Sequence, residues 1–383
     1  MTATSDRRLR VAIIGAGIGG LAAAVLLERA GFEVKVYERD ASVDTRNQGG
    51  SVAIDGDLGG AVIRSMGLAR EFALIAHPEA ATSQHRDSTG CVLAEQPADA
   101  RSGDAEVERP ELRRMLLNAL PDGLVRWGHA LTGLRPVEGG CELGFSSGRT
   151  ATADIVVGAD GAWSRVRPSL SEAVPIHSGI TFLDRRFDNV AVSHPALAEL
   201  IGPGTLFALD GQQGFIAQRL GDHARVYVAF RAPLSETNNR DVGAVRQDLI
   251  GLFRSWSAEF EPFLADRASS EDLRPVFELP VAHRWRSPGP ITLLGDAAHL
   301  QSPFCALGSN GALLDAADLA AALTAEPLAS RALANYENRM WPRAEAFASA
   351  ARTTLRNAFD ARGPRWYLAQ RRVVSCRPPW SER

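Results

Sequence analysis

Cysteine is scarce in this chain: there are four in 383 residues, Cys91, Cys141, Cys305 and Cys376, and none sits in a C-x-x-C pair. That excludes the usual zinc and dithiol redox motifs, and thiols so scattered in so long a chain read as reduced. No apolar run is long enough to span a bilayer, and the opening MTATSDRRLR lacks the apolar core of a secretion leader. A cytoplasmic location without membrane contact is therefore expected. Lysine is rare beside abundant arginine, yet the net charge is −3 and basic residues gather only at the end, as Arg371, Arg372, Arg377 and Arg383. That end reads as a solvated tail, so nucleic acid is not an expected partner. Internal repeats and low-complexity stretches are also missing. What remains is a chain that is 45% apolar, long enough for two lobes or one large α/β domain.

The most informative stretch runs from Arg10 to Arg39, RVAIIGAGIGGLAAAVLLERAGFEVKVYER. Val11–Ile14 is a short β-branched run of the kind buried on both faces of a sheet. Gly15, Gly17 and Gly20 follow in G-x-G-x-x-G spacing, then an Ala/Leu-rich helix stopped by Gly31. A second strand ends at Glu38. Gly15 permits a tight turn, Gly17 lets backbone approach a pyrophosphate, and Gly20 lets helix and strand pack closely. The helix start offers unpaired N–H groups and its positive dipole end to phosphates. Glu38, about 20 residues beyond the glycines, is placed for ribose hydroxyls and disfavours a 2′-phosphate. Together these predict a dinucleotide site.

Further along, Gly49-Gly50 precedes SVAI and marks either close passage of something flat or an ordinary turn. Leu58–Met66 reads as a short helix ended by Gly67, and residues 78–98 as a hairpin belonging to a second lobe. Glu108–Leu120 reads as an amphipathic helix with Pro110 in its first turn. Arg109 and Arg113 lie four apart on it, a spacing that also suits surface ion pairs with Glu108 or Glu111. Residues 124–159 read as strands, ending in Ile155–Val157 and Gly158-Ala159-Asp160-Gly161, with a helix start predicted over Ala162–Arg167. Residues 174–281 alternate as antiparallel strands, followed within that lobe by a helix over Val242–Trp256. A third buried strand, Ile291–Leu294, leads into Gly295-Asp296, a loop over Gln301–Asn310, and a helix over Gly311–Leu323. Asn335–Asp360 and Pro364–Val374 read as closing helices.

Three strand-end motifs in this order resemble those of the single-component FAD-dependent aromatic hydroxylases, the group with the para-hydroxybenzoate hydroxylase fold. The motifs are GAGIGG with Glu38, DIVVGADGAWSRVR at 154–167, and GDAAHLQSPFCALGSNGALLDA at 295–316. Gly49-Gly50-Ser51 and the compact length are most similar to the tetracycline-inactivating branch. The resemblance implies a Rossmann-like FAD-binding domain of 1–74, 99–172 and 285–345. It also implies an inserted, mostly antiparallel sheet domain of 75–98 and 173–284 for substrate, and a helical segment of 346–383. It implies that Glu38 holds the adenosine ribose with Arg39 beside the adenine, and that Arg109 and Arg113 contact FAD. Asp296 would bond the ribityl chain, with helix capping the alternative. Pro303, Gly308, Ser309 and Asn310 would lie along the isoalloxazine. Asp160 and Gly161 would serve both FAD and NAD(P)H, Arg46 would help place the nicotinamide, and Gly49 and Gly50 would pass close to the cofactor. This chain departs from the family at Ala306, where a glycine is usual, at Cys305, Ser302 and in the order Gly311-Ala312.

The same resemblance implies an activity. NAD(P)H, as NADPH or NADH, reduces FAD; the flavin takes up O2 as a C4a-hydroperoxide and delivers one oxygen atom to an aromatic or polyketide-like substrate. The cofactor carries that chemistry, so no obligatory acid or base is expected. His299 reads as a structural hydrogen bonder, and Cys305 has no histidine within sequence reach to make it a nucleophile. Phe207, Gln213, Phe215 and Phe230 are expected to line the substrate site. A monomer or homodimer fits. The rivals are a FAD-dependent oxidase or dehydrogenase, or a flavin-bound non-redox biosynthetic protein.

Overall fold

The computed structural model describes residues 8–45, 49–99, 101–238, 240–286 and 289–371. Its centre is a five-stranded parallel sheet in the order Ile291–Leu293, Ile155–Gly158, Arg10–Ile14, Glu33–Tyr37 and Val125–Arg126. Ile13 pairs with both Val36 and Val157, and Val157 with Thr292. Every residue of Ile155–Gly158 is buried, as continuous β-branched runs require of a sheet covered on both faces. The helix Ile18–Arg29 is buried almost all round because Leu307–Ala325 packs on its outer side.

Two small three-stranded sheets flank this core. One joins Thr150–Ala153, Gly140–Phe145 and Leu131–Val137; the other joins Ser51–Ile54, Ala105–Glu108 and Ala76–His77. The second lobe is a seven-stranded sheet in the order Ser270–Glu278, Ile176–Asp188, His223–Arg231, Gln213–Leu220, Thr205–Asp210, Ser83–Arg86 and Val92–Gln96. The hairpin read at 78–98 thus forms its edge. One face buries Leu183, Phe187, Phe215, Ala217, Val226 and Val228 against the helices Pro195–Ile201, Val242–Leu252 and Pro262–Ala265. The other face looks toward the parallel sheet.

The structure departs from the sequence reading in the bounds of several elements. Ala162–Arg167 makes turns followed by one 3-10 turn at Arg167–Ser169, because the Asp160 carboxylate takes the N–H groups of Arg165 and Val166 and curls the chain. The helix expected at Gly311 begins at Leu307, just after the left-handed residue Ala306. One helix, Ala329–Ala358, runs through residues 345–346 and carries Pro342 within it. Leu333 and Tyr336 of that helix pack in the parallel-sheet core, whereas Leu355 packs with Ile180 and Phe182 of the seven-stranded sheet. One helix therefore packs against both lobes. The closing helix is described as Pro364–Arg371; Arg372, Arg377, Arg383 and Cys376 lie outside the described residues.

Candidate active site

The glycine turn is built as its spacing requires. Gly15 has φ of 107° and donates its N–H to Tyr37 O at 2.8 Å, and a Cβ there would stand 2.4 Å from Ala159 O. A Cβ on Gly20 would stand 2.2 Å from Gly15 O. Gly17 differs: its φ of −78° suits any residue, and no protein atom lies within 4 Å of where a Cβ would be. The space it leaves belongs to something other than the chain.

That space opens into a cavity of about 680 Å³. One wall is Gly17–Gly20 at the start of the helix Ile18–Arg29, with Arg109, Gly161, Gly295 and Asp296. The middle is formed by Gly49–Ala53 and by Pro303, Gly308 and Ser309, and the far wall by the seven-stranded sheet. An elongated cavity with a helix N-terminus, a guanidinium and an exposed Asp296 carboxylate along it suits a pyrophosphate-bearing, hydroxyl-rich cofactor.

Several expected contacts fall elsewhere. Arg113 is buried beneath the glycine turn, where its Nε donates to Ala16 O at 2.7 Å and its Nη1 to Val43 O at 3.1 Å. Its guanidinium lies 3.9 Å from both Glu38 and Asp40 and 5.3 Å from the Trp127 ring centre. Arg109, one turn earlier on the same helix, is the residue on the cavity wall. Glu38 accepts from Ala16 N at 2.7 Å and from Asp40 N at 3.0 Å, so its carboxylate braces the turn; Arg39 is exposed. Asp160 is taken up by Ser164 and by the N–H groups after it. Asn310 is fully engaged as a strut: Oδ1 accepts from Asp55 N and Gly59 N, and Nδ2 donates to Ala53 O and Ala306 O. Gly50 passes so near the opposite sheet that a Cβ would lie 2.5 Å from the Tyr227 hydroxyl. Arg46 lies outside the described residues.

Behind the third motif is a buried charged network. Asp315 accepts from Gly295 N at 2.9 Å and from Arg343 at 2.8 Å, and lies 2.6 Å from His299 Nε2. Burial opposes the charge on both partners, but the ion pair outweighs it: the His299 pKa is raised, and Asp315, also held by Arg343, is pulled down to about 2. His299 is thus a structural partner that positions the Gly295-Asp296 turn. Cys305 Sγ lies 3.2 Å from Thr354 Oγ1 on the cavity wall.

Of the four residues expected to line the substrate end, only Phe207 faces the cavity. Phe215 is fully buried in the helix-side core, Phe230 packs there too, and Gln213 donates to Leu252 O at 3.3 Å on that side. Strand periodicity sends adjacent residues to opposite faces, and the face that lines the cavity carries Ile216, Gln218 and Tyr227, with Phe182, Arg274 and Phe277. The alternation itself was readable; which face was covered by helices was not. Asp184 on this face pairs with Arg225 at 2.8 Å and with Arg274. Burial, then the Asp184 charge, pushes the Tyr227 phenol up to about 12, so it stays protonated. Glu106 and Gln301 also line the cavity, and nothing in their sequence surroundings marks them.

Residues 8–351 match the profile of a family described as FAD binding domain. The chain belongs to the FAD binding domain family. It is 30% identical over 360 residues to 3-amino-4-hydroxybenzoate 2-monooxygenase PtmB3 of Streptomyces platensis, covering 90% of this chain and 87% of that one. Its fold matches that of HpxO from Klebsiella pneumoniae, solved with FAD and uric acid, with a TM-score of 0.81 at 21% identity over 96% of this chain and 92% of that one. It also matches tetracycline destructase Tet(51), with a TM-score of 0.75 at 23% identity over 96% of each chain. This flavoprotein is a FAD-dependent monooxygenase of the aromatic-hydroxylase type. Among its described residues no helix is long and apolar enough to cross a membrane, and no group of three or more His, Cys, Asp and Glu could hold a metal ion.

Proposed function

We propose that this enzyme uses NADPH or NADH to drive insertion of one atom of O2 into a small-to-medium aromatic or polyketide-like ring held against the seven-stranded sheet. One observation carries the reading: the cofactor loops and the sheet face share a single cavity, so a ring lying on Phe207 and Ile216 adjoins the flavin end formed by Pro303 and Gly308. When bound, FAD supplies the oxygen-transfer chemistry after reduction. The chain's own part is to bind, orient and exclude water. Gly17 and the start of the helix Ile18–Arg29 take the pyrophosphate, with Arg109 beside it, and Asp296 takes the ribityl hydroxyls. The N–H groups at Leu307–Ser309 favour negative charge on the ring system at a helix start. Phe182, Phe207, Ile216, Phe277 and Phe304 keep the reacting end dry.

The test follows the visible spectrum of the purified holoenzyme during anaerobic addition of NADPH or NADH, then screens hydroxylated aromatic rings under 18O2. Bleaching of the flavin and one labelled oxygen in the product are expected. Product without label, formed with hydrogen peroxide, would overturn the monooxygenase step in favour of an oxidase.

A further inference from the structure

The cavity wall holds a carboxyl oxygen without a hydrogen-bond partner. Glu106 is 7% exposed and its Oε2 has no hydrogen-bond partner. Both amide atoms of Gln301, elsewhere on the same wall, are likewise buried without partners. Buried polar atoms are nearly always satisfied, so such orphans facing a cavity mark where a ligand's polar groups go. Local structure fixes the direction of Glu106. It pairs in register with Ala53 on one side and His77 on the other. Glu108, two residues on and hence on the same face, reaches His223 of the seven-stranded sheet at 2.6 Å.

Arg109 shares the cavity wall with Glu106 but forms no ion pair with it. Among the described residues Glu106 is in no ion pair: His77 is engaged by Glu79, and His223 by Glu108. Arg274, across the cavity, is engaged by Asp184 and Asp272. Asp55, Asp104 and Cys305 share a smaller adjoining pocket with Glu106 and bring no positive charge. Burial, with the charge of Glu108 adding to it and the Ser51 hydroxyl opposing it, lifts its pKa to about 7. A carboxylic acid ligand group would meet an uncompensated carboxylate here; a neutral donor would meet an acceptor.

We propose that Glu106 is a specificity-determining residue whose carboxylate accepts a hydrogen bond from a hydroxyl or amino substituent on the ring to be oxidised. The proposal rests on the reading of this cavity as the oxidation site. Gln301 completes the polar lining, and the phenyl rings opposite hold the apolar remainder of the ligand. Binding of a neutral donor favours the ionised form of Glu106, so affinity rises with pH through the titration of that group.

The probes are 2-naphthol and its methyl ether 2-methoxynaphthalene, which lacks the donor and carries one more methyl group. Each is titrated into the oxidised holoenzyme and followed by perturbation of the flavin absorbance, at about pH 6 and about pH 8. About tenfold tighter binding of the naphthol is expected at the higher pH, with a smaller preference at the lower one. E106L should bind both probes alike at both pH values, and E106Q, whose amide oxygen still accepts but does not titrate, should lose the pH dependence of the preference, both variants keeping full FAD content. A preference below twofold in the parent enzyme, including no measurable naphthol binding, overturns the proposal. So does a preference that survives in E106L, or variants that lose FAD rather than discrimination. Loss of discrimination with FAD content intact separates this role from any failure of the cofactor site itself.

Discussion

Two glycines of one motif do different work, and single substitutions separate them. Gly20→Ala drives a Cβ into Gly15 O, a backbone atom that cannot yield, so the apoprotein should be strongly destabilised and poorly soluble. Gly17→Ala meets no protein atom, so the apoprotein should keep its thermal transition while FAD affinity falls at least about tenfold, read by flavin fluorescence on titration. Equal FAD affinity in Gly17→Ala would show that the pyrophosphate does not use this space. Ala306 is the reverse case. It sits at φ of 55° just before the helix Leu307–Ala325, a conformation that costs an L-residue about 1–2 kcal/mol. Ala306→Gly should therefore raise unfolding stability by about 1 kcal/mol or less, the gain being trimmed by the freer unfolded chain. The departure from the family's glycine was visible in the sequence; that the residue still adopts the left-handed turn was not, because backbone angles are set by what the loop must join.

At the scale of elements, the strand Gln213–Leu220 divides function from stability residue by residue. Phe215→Ala should cost about 3–5 kcal/mol in chemical denaturation with little change in ligand affinity while the protein stays folded. Phe207→Ala on the neighbouring strand should weaken ligand binding with a much smaller loss of stability. The opposite pattern would mean that the two faces have been misassigned. The Gly295-Asp296 turn depends on a different element, the buried network of Asp315, His299 and Arg343. Asp315→Asn takes the charged partner from His299 and one of two carboxylates from Arg343, which keeps Asp318, and should cost about 3 kcal/mol. The raised pKa of His299 contributes stability that is fully present below its ordinary value of 6.5 and is lost as pH rises through the raised folded value. The lowered pKa of Asp315 acts at the other end, its contribution fading as pH falls from 3.8 toward about 2. Thermal scans should thus show stability declining on the alkaline side in the parent enzyme, and His299→Gln should lose that slope.

For the whole molecule, the helix Ala329–Ala358 packs on both lobes and both line one cavity, so the two lobes should unfold as one cooperative unit. A cofactor that binds only the folded chain stabilises it by mass action, about 2.7 kcal/mol at a concentration 100 times its dissociation constant. Removing FAD should lower the thermal transition of the entire protein, and the transition should climb steadily with added FAD. A transition that ignores FAD, or that splits into one responsive and one unresponsive step, would mean that the lobes unfold independently.

The sequence by itself determined the parallel sheet, the glycine turn and the order of the three motifs, because each rests on local backbone demands: burial of short β-branched runs, glycine at a crowded turn, and a loop between strand and helix. Composition likewise determined the absence of any long apolar span. Only the tertiary structure decided which side chains reach the cavity. Arg109 and Arg113 share a helix face, yet one lines the cavity and the other braces Ala16. Phe207 and Phe215 look alike in their strands, yet helices cover one face of that sheet and a cavity opens on the other. Glu106 carries no motif at all; it becomes exceptional only when strands distant in sequence bury it on the cavity wall with one oxygen unpartnered. Periodicity specifies that neighbours face opposite ways, but it does not name the face that another part of the chain will cover.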